Sequence, residues 1–229
     1  MIRVTENLAL IKDLLATTAI EAERDPNTVR LLAVSKKQPL ERILAAAKLG
    51  QRDFGENTVQ EGLDKIHAAA DTRLTWHFIG HLQSNKTRAV AESFDWVHTI
   101  DKPKVAFRLS QQRPAELGPL NVCLQVNIDA EPRKSGARID EVAELAAACG
   151  ELPNIRLRGL MCLPAIREGF AAQREPFAKL RDLFDKLRQD GLPVDTLSMG
   201  MSDDYRAAIF EGATIVRIGT ALFGERTEA

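Results

Sequence analysis

The chain has 229 residues, 45% hydrophobic and 28% charged, with a formal net charge of -1. This is the balance of a soluble globular protein with enough chain for a sizeable core, as one large α/β domain or two small ones. Without a basic excess, neither a nucleic-acid backbone nor an anionic membrane is expected as a partner.

Apolar spacing at Leu8, Ile11, Leu14, Leu15 and Ile20 predicts an amphipathic helix over about 5–24, stopped by Asp25-Pro26-Asn27. Leu31-Leu32-Ala33-Val34-Ser35-Lys36 reads as a strand that ends on a lysine. Pro39 near its start and Gly50 at its end frame the next helix, through Ile43, Leu44 and Leu49. Residues 53–57 form a short strand candidate, 59–70 a helix, 74–79 a strand, 82–92 a helix and 94–100 a strand. A helix over about 102–117 leads to 120–128, a stretch dominated by apolar and β-branched types. Beyond a Pro/Lys/Gly loop, 140–149 reads as helix and 155–163 as strand. The longest helix, about 168–189, is followed by a strand at 194–199, a helix at 202–211 and a last strand at 214–219.

Such alternation, with several strands apolar on both faces, calls for parallel strands covered by helices. Eight strand candidates in this length, without a linker or charge block, predict a single closed (β/α)8 TIM barrel domain over residues 1–229. An open doubly wound sheet is the alternative, but no GxGxxG or GxxxxGK[ST] accompanies it. Cys123, Cys149 and Cys162 are odd in number, far apart and form no CxxC, which speaks against disulfides or zinc and for a reducing cytosol. The first residues lack a basic-then-apolar leader, and no stretch approaches the roughly 18 apolar residues of a membrane helix. A cytoplasmic protein is expected.

In a barrel, function belongs at the C-terminal ends of the strands. Those ends hold Lys36, Glu56 with Asn57, Gly80 with His81, Asn127, Met161, Ser198 with Met199 and Gly200, and Arg217 followed by Gly219 and Thr220. A lysine closing a buried strand can present a desolvated amine to a cleft, as capture of an aldehyde requires; the plain alternative is a strand end in solvent. The last two strands are where barrels hold phosphate, and Ser198, Ser202 and Thr220 supply hydroxyls there while Gly200 and Gly219 permit close backbone approach. Ser202 before Asp203-Asp204 reads equally as a helix N-cap. Arg217 interrupts an apolar strand, so it needs an acceptor, either a ligand or a barrel carboxylate. His77 and His81 share no helix face and no HExxH surrounds them, so no metal site is expected. Ser35 lacks the G-x-S-x-G setting of a nucleophile elbow.

Taken together, AVSK ending at Lys36, FGEN-x-x-QE at 54–61, WHFIGHLQSNK at 76–86, KSG at 134–136, RGLM at 158–161, SMGMSDDY, and VRIGTALFG up to Gly224 resemble the YggS/PROSC family. These are pyridoxal phosphate (PLP) homeostasis proteins, and the match runs in order along nearly the whole chain. The resemblance implies the N-terminal barrel domain of alanine racemase standing alone, without the C-terminal β-domain, as a monomer. It implies Lys36 as the Schiff-base lysine, Arg217 facing the pyridine nitrogen, and Ser202, Gly219 and Thr220 on the phosphate. Ser198 would lie nearby and Asn57 beside the cofactor; no catalytic residue and no metal is assigned. Lys37 stands where the family often has a small polar residue, and Lys134 is a further amine in the KSG segment. Only the resemblance supplies pyridoxal; the residues themselves point to a lysine, a phosphate and a buried arginine.

The function so implied is carriage or buffering of PLP through a reversible lysine imine, maintaining vitamin B6 and amino-acid homeostasis, with PLP-dependent apoenzymes as recipients. A PLP-dependent amino-acid racemase is the alternative. Two-base racemisation needs an acid–base on each face of the substrate, supplied in the resembled racemase by a tyrosine from a further domain, and Tyr205 is the single tyrosine here. A third reading is a sugar-phosphate barrel enzyme with Lys36 as an aldolase base.

Overall fold

Parallel strands that are apolar on both faces need helices outside and side chains inside, and the chain meets both needs by closing its sheet. In a computed structural model, which describes residues 2–224, the strands β1 (Arg30–Val34), β2 (Asp53–Glu56), β3 (Thr75–Phe78), β4 (Trp96–Ile100), β5 (Leu120–Val126), β6 (Ile155–Cys162), β7 (Thr196–Ser198) and β8 (Ile215–Ile218) form a closed parallel barrel in chain order. β1 closes the ring on β8, with Leu32 beside Arg217 and Ala33 beside Ile218. The expected domain over 1–229 includes Met1 and residues 225–229, which lie outside the described residues.

Around this ring lie α1 (Ile2–Glu21), α2 (Leu40–Lys48), α3 (Val59–Ala68), α4 (Thr87–Ser93), α5 (Pro103–Gln112), α6 (Val142–Gly150), α7 (Phe170–Gln189), α8 (Tyr205–Phe210) and the short α9 (Thr220–Phe223). Helix ends differ from the sequence reading at several places: α1 lies three residues earlier than expected, and three others have a visible cause. α4 starts at Thr87 rather than at 82, because Gln83–Lys86 folds as a turn, with the Lys86 N–H donating to Gln83 O and Thr87 Oγ1 donating to Ser84 O. α5 ends before Pro114, which cannot supply the next helical N–H; Arg113 there donates to the carbonyls of Ala91, Phe94 and Gly118. α8 begins at Tyr205 with Asp204 as its N-cap residue, so Ser202 is not a cap but part of the preceding turn.

Strand alternation sorts the buried side chains into two apolar groups. Ala33, Phe54, Trp76, Phe78, Val97, Leu124, Leu160, Leu197 and Val216 join the large cluster shared with the helices. Trp96, Cys123 and Met161 form a separate cluster, and other alternate positions combine apolar Leu32 and Ile215 with polar His77, His98, Ser198 and Arg217, all buried. The barrel interior is therefore packed with apolar and polar side chains together, and the polar ones are a feature the apolar reading of the strands did not anticipate. No helix among the described residues is long and apolar enough to cross a membrane.

Candidate functional site

The C-terminal strand ends surround a cleft of about 580 Å³ lined by Val34, Lys36, Asn57, Ile79, Met161, Leu163, Met201, Ser202, Asp203, Arg217, Gly219, Thr220 and Ala221. Six of the residues singled out from sequence, Lys36, Asn57, Ser202, Arg217, Gly219 and Thr220, thus share one cavity. Ser198 is not among its lining residues. Among the described residues no cluster of His, Cys, Asp or Glu suits a metal ion, and the three cysteines are free and buried, with burial pushing each thiol up to about 12.

Lys36 is half-buried and sits in the turn that leaves β1, where the Gln38 N–H donates to Ser35 O at 3.0 Å. The next residue, Lys37, takes the left-handed backbone region at φ 56° and its side chain is exposed. What fixes this turn is a buried cluster from β2 and α3. Lys65 Nζ donates to Ser35 O at 2.7 Å, Glu56 Oε1 at 2.8 Å and Glu61 Oε1 at 2.7 Å, while the Lys37 N–H donates to Glu61 Oε1. The backbone on both sides of Lys36 is therefore tied to one ion-pair cluster. Burial raises the Glu56 carboxyl above its ordinary range; Glu61, less deeply placed, is held below its own by Lys65 and the Lys37 N–H, which outweigh burial. Lys134, the further amine of the KSG segment, pairs with Glu131 at 2.5 Å and lines a different cavity.

Arg217 forms part of the cleft wall yet is only 4% exposed. Its acceptors within the protein are two backbone carbonyls and a hydroxyl rather than the barrel carboxylate expected as the alternative to a ligand. One terminal nitrogen donates to Ser198 O at 2.5 Å and Ser198 Oγ at 2.9 Å, and the other to Cys162 O at 2.8 Å. Backbone carbonyls at the ends of β6 and β7 thus satisfy the guanidinium without neutralising it. Burial lowers its pKa from the ordinary guanidinium value, but an arginine stays charged. Ser198, fully buried, sits behind Arg217 rather than in the cleft, with its hydroxyl 2.8 Å from His98 Nδ1. Sequence reading assigned no role to His98, Lys65 or Glu61, although Glu61 closes the FGEN-x-x-QE motif; for His98 the available signal was a histidine in the middle of a largely apolar strand.

Two further features bear on what the cleft can hold. Asn57 Oδ1 is buried and accepts no hydrogen bond, and its backbone is wedged under Gly80, where an added Cβ would stand 1.8 Å from Asn57 O. At the end of β8, the Leu222 and Phe223 N–H groups both donate to Gly219 O. The N–H groups of Thr220 and Ala221 open the four-residue α9 and have no acceptor within it, and both residues line the cleft with Ser202. Lys36, Asn57, Ser202, Arg217 and Thr220 are thereby gathered in one cleft.

Comparison with known proteins gives the family of the chain. The alanine racemase N-terminal domain family matches residues 14–227. The chain is 55% identical over 226 residues to the pyridoxal phosphate homeostasis protein of Pseudomonas aeruginosa, covering 99% of this chain and 97% of that protein. With the protein of the same name from Escherichia coli strain K12 it shares 52% over 226 residues, covering 97% of each. The chain belongs to the pyridoxal phosphate homeostasis family. Membership bears out the expected fold class, an eight-stranded barrel like the N-terminal domain of alanine racemase. PipY of Synechococcus elongatus PCC7942, solved with PLP bound, is similar to this member of the pyridoxal phosphate homeostasis family at a TM-score of 0.84 and 35% identity, covering 96% of this chain and all of PipY.

Proposed function

We propose that this protein binds PLP in the cleft and carries or buffers it, with Lys36 as the point of reversible covalent attachment. The observation that carries the reading is the convergence of Lys36, Arg217, Ser202, Gly219 and Thr220 on one cavity at the C-terminal end of the barrel. When bound, PLP supplies an aldehyde that takes up a lysine amine. Lys36 offers that amine from a turn held by the Lys65 cluster. The Thr220 and Ala221 amides, with the hydroxyls of Ser202 and Thr220, bind the phosphate. Arg217 holds a fixed positive charge against the cleft floor, which disfavours a proton on a pyridine nitrogen beside it and so weakens the ring as an electron sink. Asn57 Oδ1 gains the hydrogen bond it lacks by accepting from the ligand or its water.

A storage role, with PLP-dependent apoenzymes as recipients, agrees with this chemistry better than racemisation does. Tyr205, the single tyrosine, opens α8 and packs against the helical core, outside the cleft lining. The test is an absorption spectrum of the purified protein with and without borohydride, followed by peptide mass mapping. A yellow protein whose colour is fixed by reduction onto Lys36, lost in Lys36→Ala, and inactive on alanine and other amino acids supports the carrier. Reduction onto Lys37 or Lys134 moves the site, rapid racemisation makes the protein an enzyme, and a chain that takes up no PLP ends the reading.

A further inference from the structure

Beneath Arg217 a continuous line of buried hydrogen bonds crosses the barrel to its opposite end. Arg217 reaches Ser198 Oγ at 2.9 Å, Ser198 Oγ lies 2.8 Å from His98 Nδ1, His98 Nε2 lies 2.9 Å from His77 Nδ1, and His77 Nε2 lies 3.0 Å from Asp53 Oδ1. His77, His98 and Ser198 have no solvent exposure, whereas the Asp53 side chain is 22% exposed beside Arg30 at 3.7 Å. Burial would raise Asp53, but the hydrogen bond from His77 and the charge of Arg30 outweigh it and the carboxyl falls below its ordinary range; burial lowers both imidazoles.

With both imidazoles neutral, as burial favours, the carboxylate end fixes the direction of every bond in the line. An arginine can only donate, and an ionised carboxylate can only accept. His77 must therefore carry its proton on Nε2 to serve Asp53, which leaves Nδ1 to accept from His98 Nε2–H. His98 Nδ1 then accepts from the Ser198 hydroxyl, whose lone pair is left for Arg217. Reversing any link would place two donors or two acceptors face to face in a site without water contact, at the cost of a buried unsatisfied group.

We propose that Asp53, His77, His98 and Ser198 act as positioning residues for Arg217, orienting the Ser198 hydroxyl as an acceptor so that the guanidinium keeps its place in the wall of the cofactor cleft. The chain is not a proton path to the cleft, because it ends on a group that gives up no proton. The proposal rests on the PLP reading for its effect on binding, but not for the chain itself.

The test has two arms. In protein free of PLP, long-range 15N NMR should show both His77 and His98 as neutral rings protonated on Nε2, and Ser198→Ala should shift the Arg217 guanidinium resonances. In PLP titrations, Ser198→Ala and His98→Leu should each raise the dissociation constant about tenfold, the scale of one lost hydrogen bond to a charged group, with the far-UV circular dichroism unchanged. His98→Asn, which keeps an acceptor for the serine hydroxyl, should stay within about threefold of the parent. In an Arg217→Ala background neither Ser198→Ala nor His98→Leu should cost anything further, since the effect runs through that arginine. An Nδ1-protonated ring, unchanged affinity in both variants, or losses that persist undiminished without Arg217 would each overturn the proposal. Should His98→Leu not fold, Ser198→Ala, which removes a single atom, completes the cycle. If the parent protein takes up no PLP, the cofactor reading falls, while the tautomers and the Arg217 shift still decide whether the chain holds the arginine.

Discussion

The turn that carries Lys36 is held by residues that do not line the cleft. Lys65 is 8% exposed and its three acceptors, Ser35 O, Glu56 and Glu61, brace the turn from both sides. Removing one partner of a buried pair leaves an uncompensated charge, so Lys65→Met should destabilise the protein by about 3 kcal/mol. Chemical denaturation would read that loss, and slower reaction of Lys36 with PLP in the folded variant would show that the turn itself has loosened. A loss under about 1 kcal/mol, the range of an exposed pair, would mean the cluster is wetter than its burial indicates. The same pairing was out of reach of sequence reading, because Lys65 lies thirty positions beyond the Ser35 carbonyl it holds and nothing in the helical pattern distinguishes it from a surface lysine.

Among the elements, β6 and β7 show how closely the strands are pressed. Gly159 has φ 153°, and a Cβ there would stand 1.8 Å from Thr196 O. Neighbouring Cys123 pairs with it across a register shift in β5. Gly159→Ala should push β7 away from β6, with a cost of about 3 kcal/mol from overpacking and strained backbone together, and because β7 carries Ser198 it should also weaken PLP retention. Thermal unfolding and a PLP titration of the same sample check both expectations; an unshifted melting temperature would mean the two strands separate freely. Alternation of strand and helix was readable throughout because hydrophobic period and turn residues are local. Helix starts were less so: Ser202 looks like a cap by its neighbours, but Asp204 Oδ1 accepts the Met201 N–H at 2.6 Å and takes the cap position, which frees the Ser202 hydroxyl for the cleft.

For the molecule as a whole, two buried histidines in the barrel interior set a pH dependence. Burial lowers both imidazole pKa values in the folded state from the ordinary 6.5. The unfolded chain therefore binds more protons as pH falls through that value, and the folded state loses stability relative to it. Between pH 7.5 and pH 6 the loss should be about 1 kcal/mol, read as a lower urea midpoint, and His98→Asn should flatten the slope. The carboxyls that burial raises, Glu56 and Asp204, contribute with the opposite sign but from a lower starting value. A midpoint unchanged across this window would show that the interior histidines titrate as they do in water.

The sequence by itself determined the eight-fold strand–helix alternation, the barrel, and the identity of the strand-end residues that face the cleft, Lys36, Asn57, Arg217, Gly219 and Thr220. Those features follow from local periodicity and from the rule that strand ends converge at one face of a closed barrel. The acceptors of Arg217, the cluster behind Lys36 and the Asp53–His77–His98–Ser198 line were decided only by tertiary structure. Each depends on which inward positions of different strands lie at the same height, and that height is set by strand register and tilt, quantities that arise only when the sheet closes.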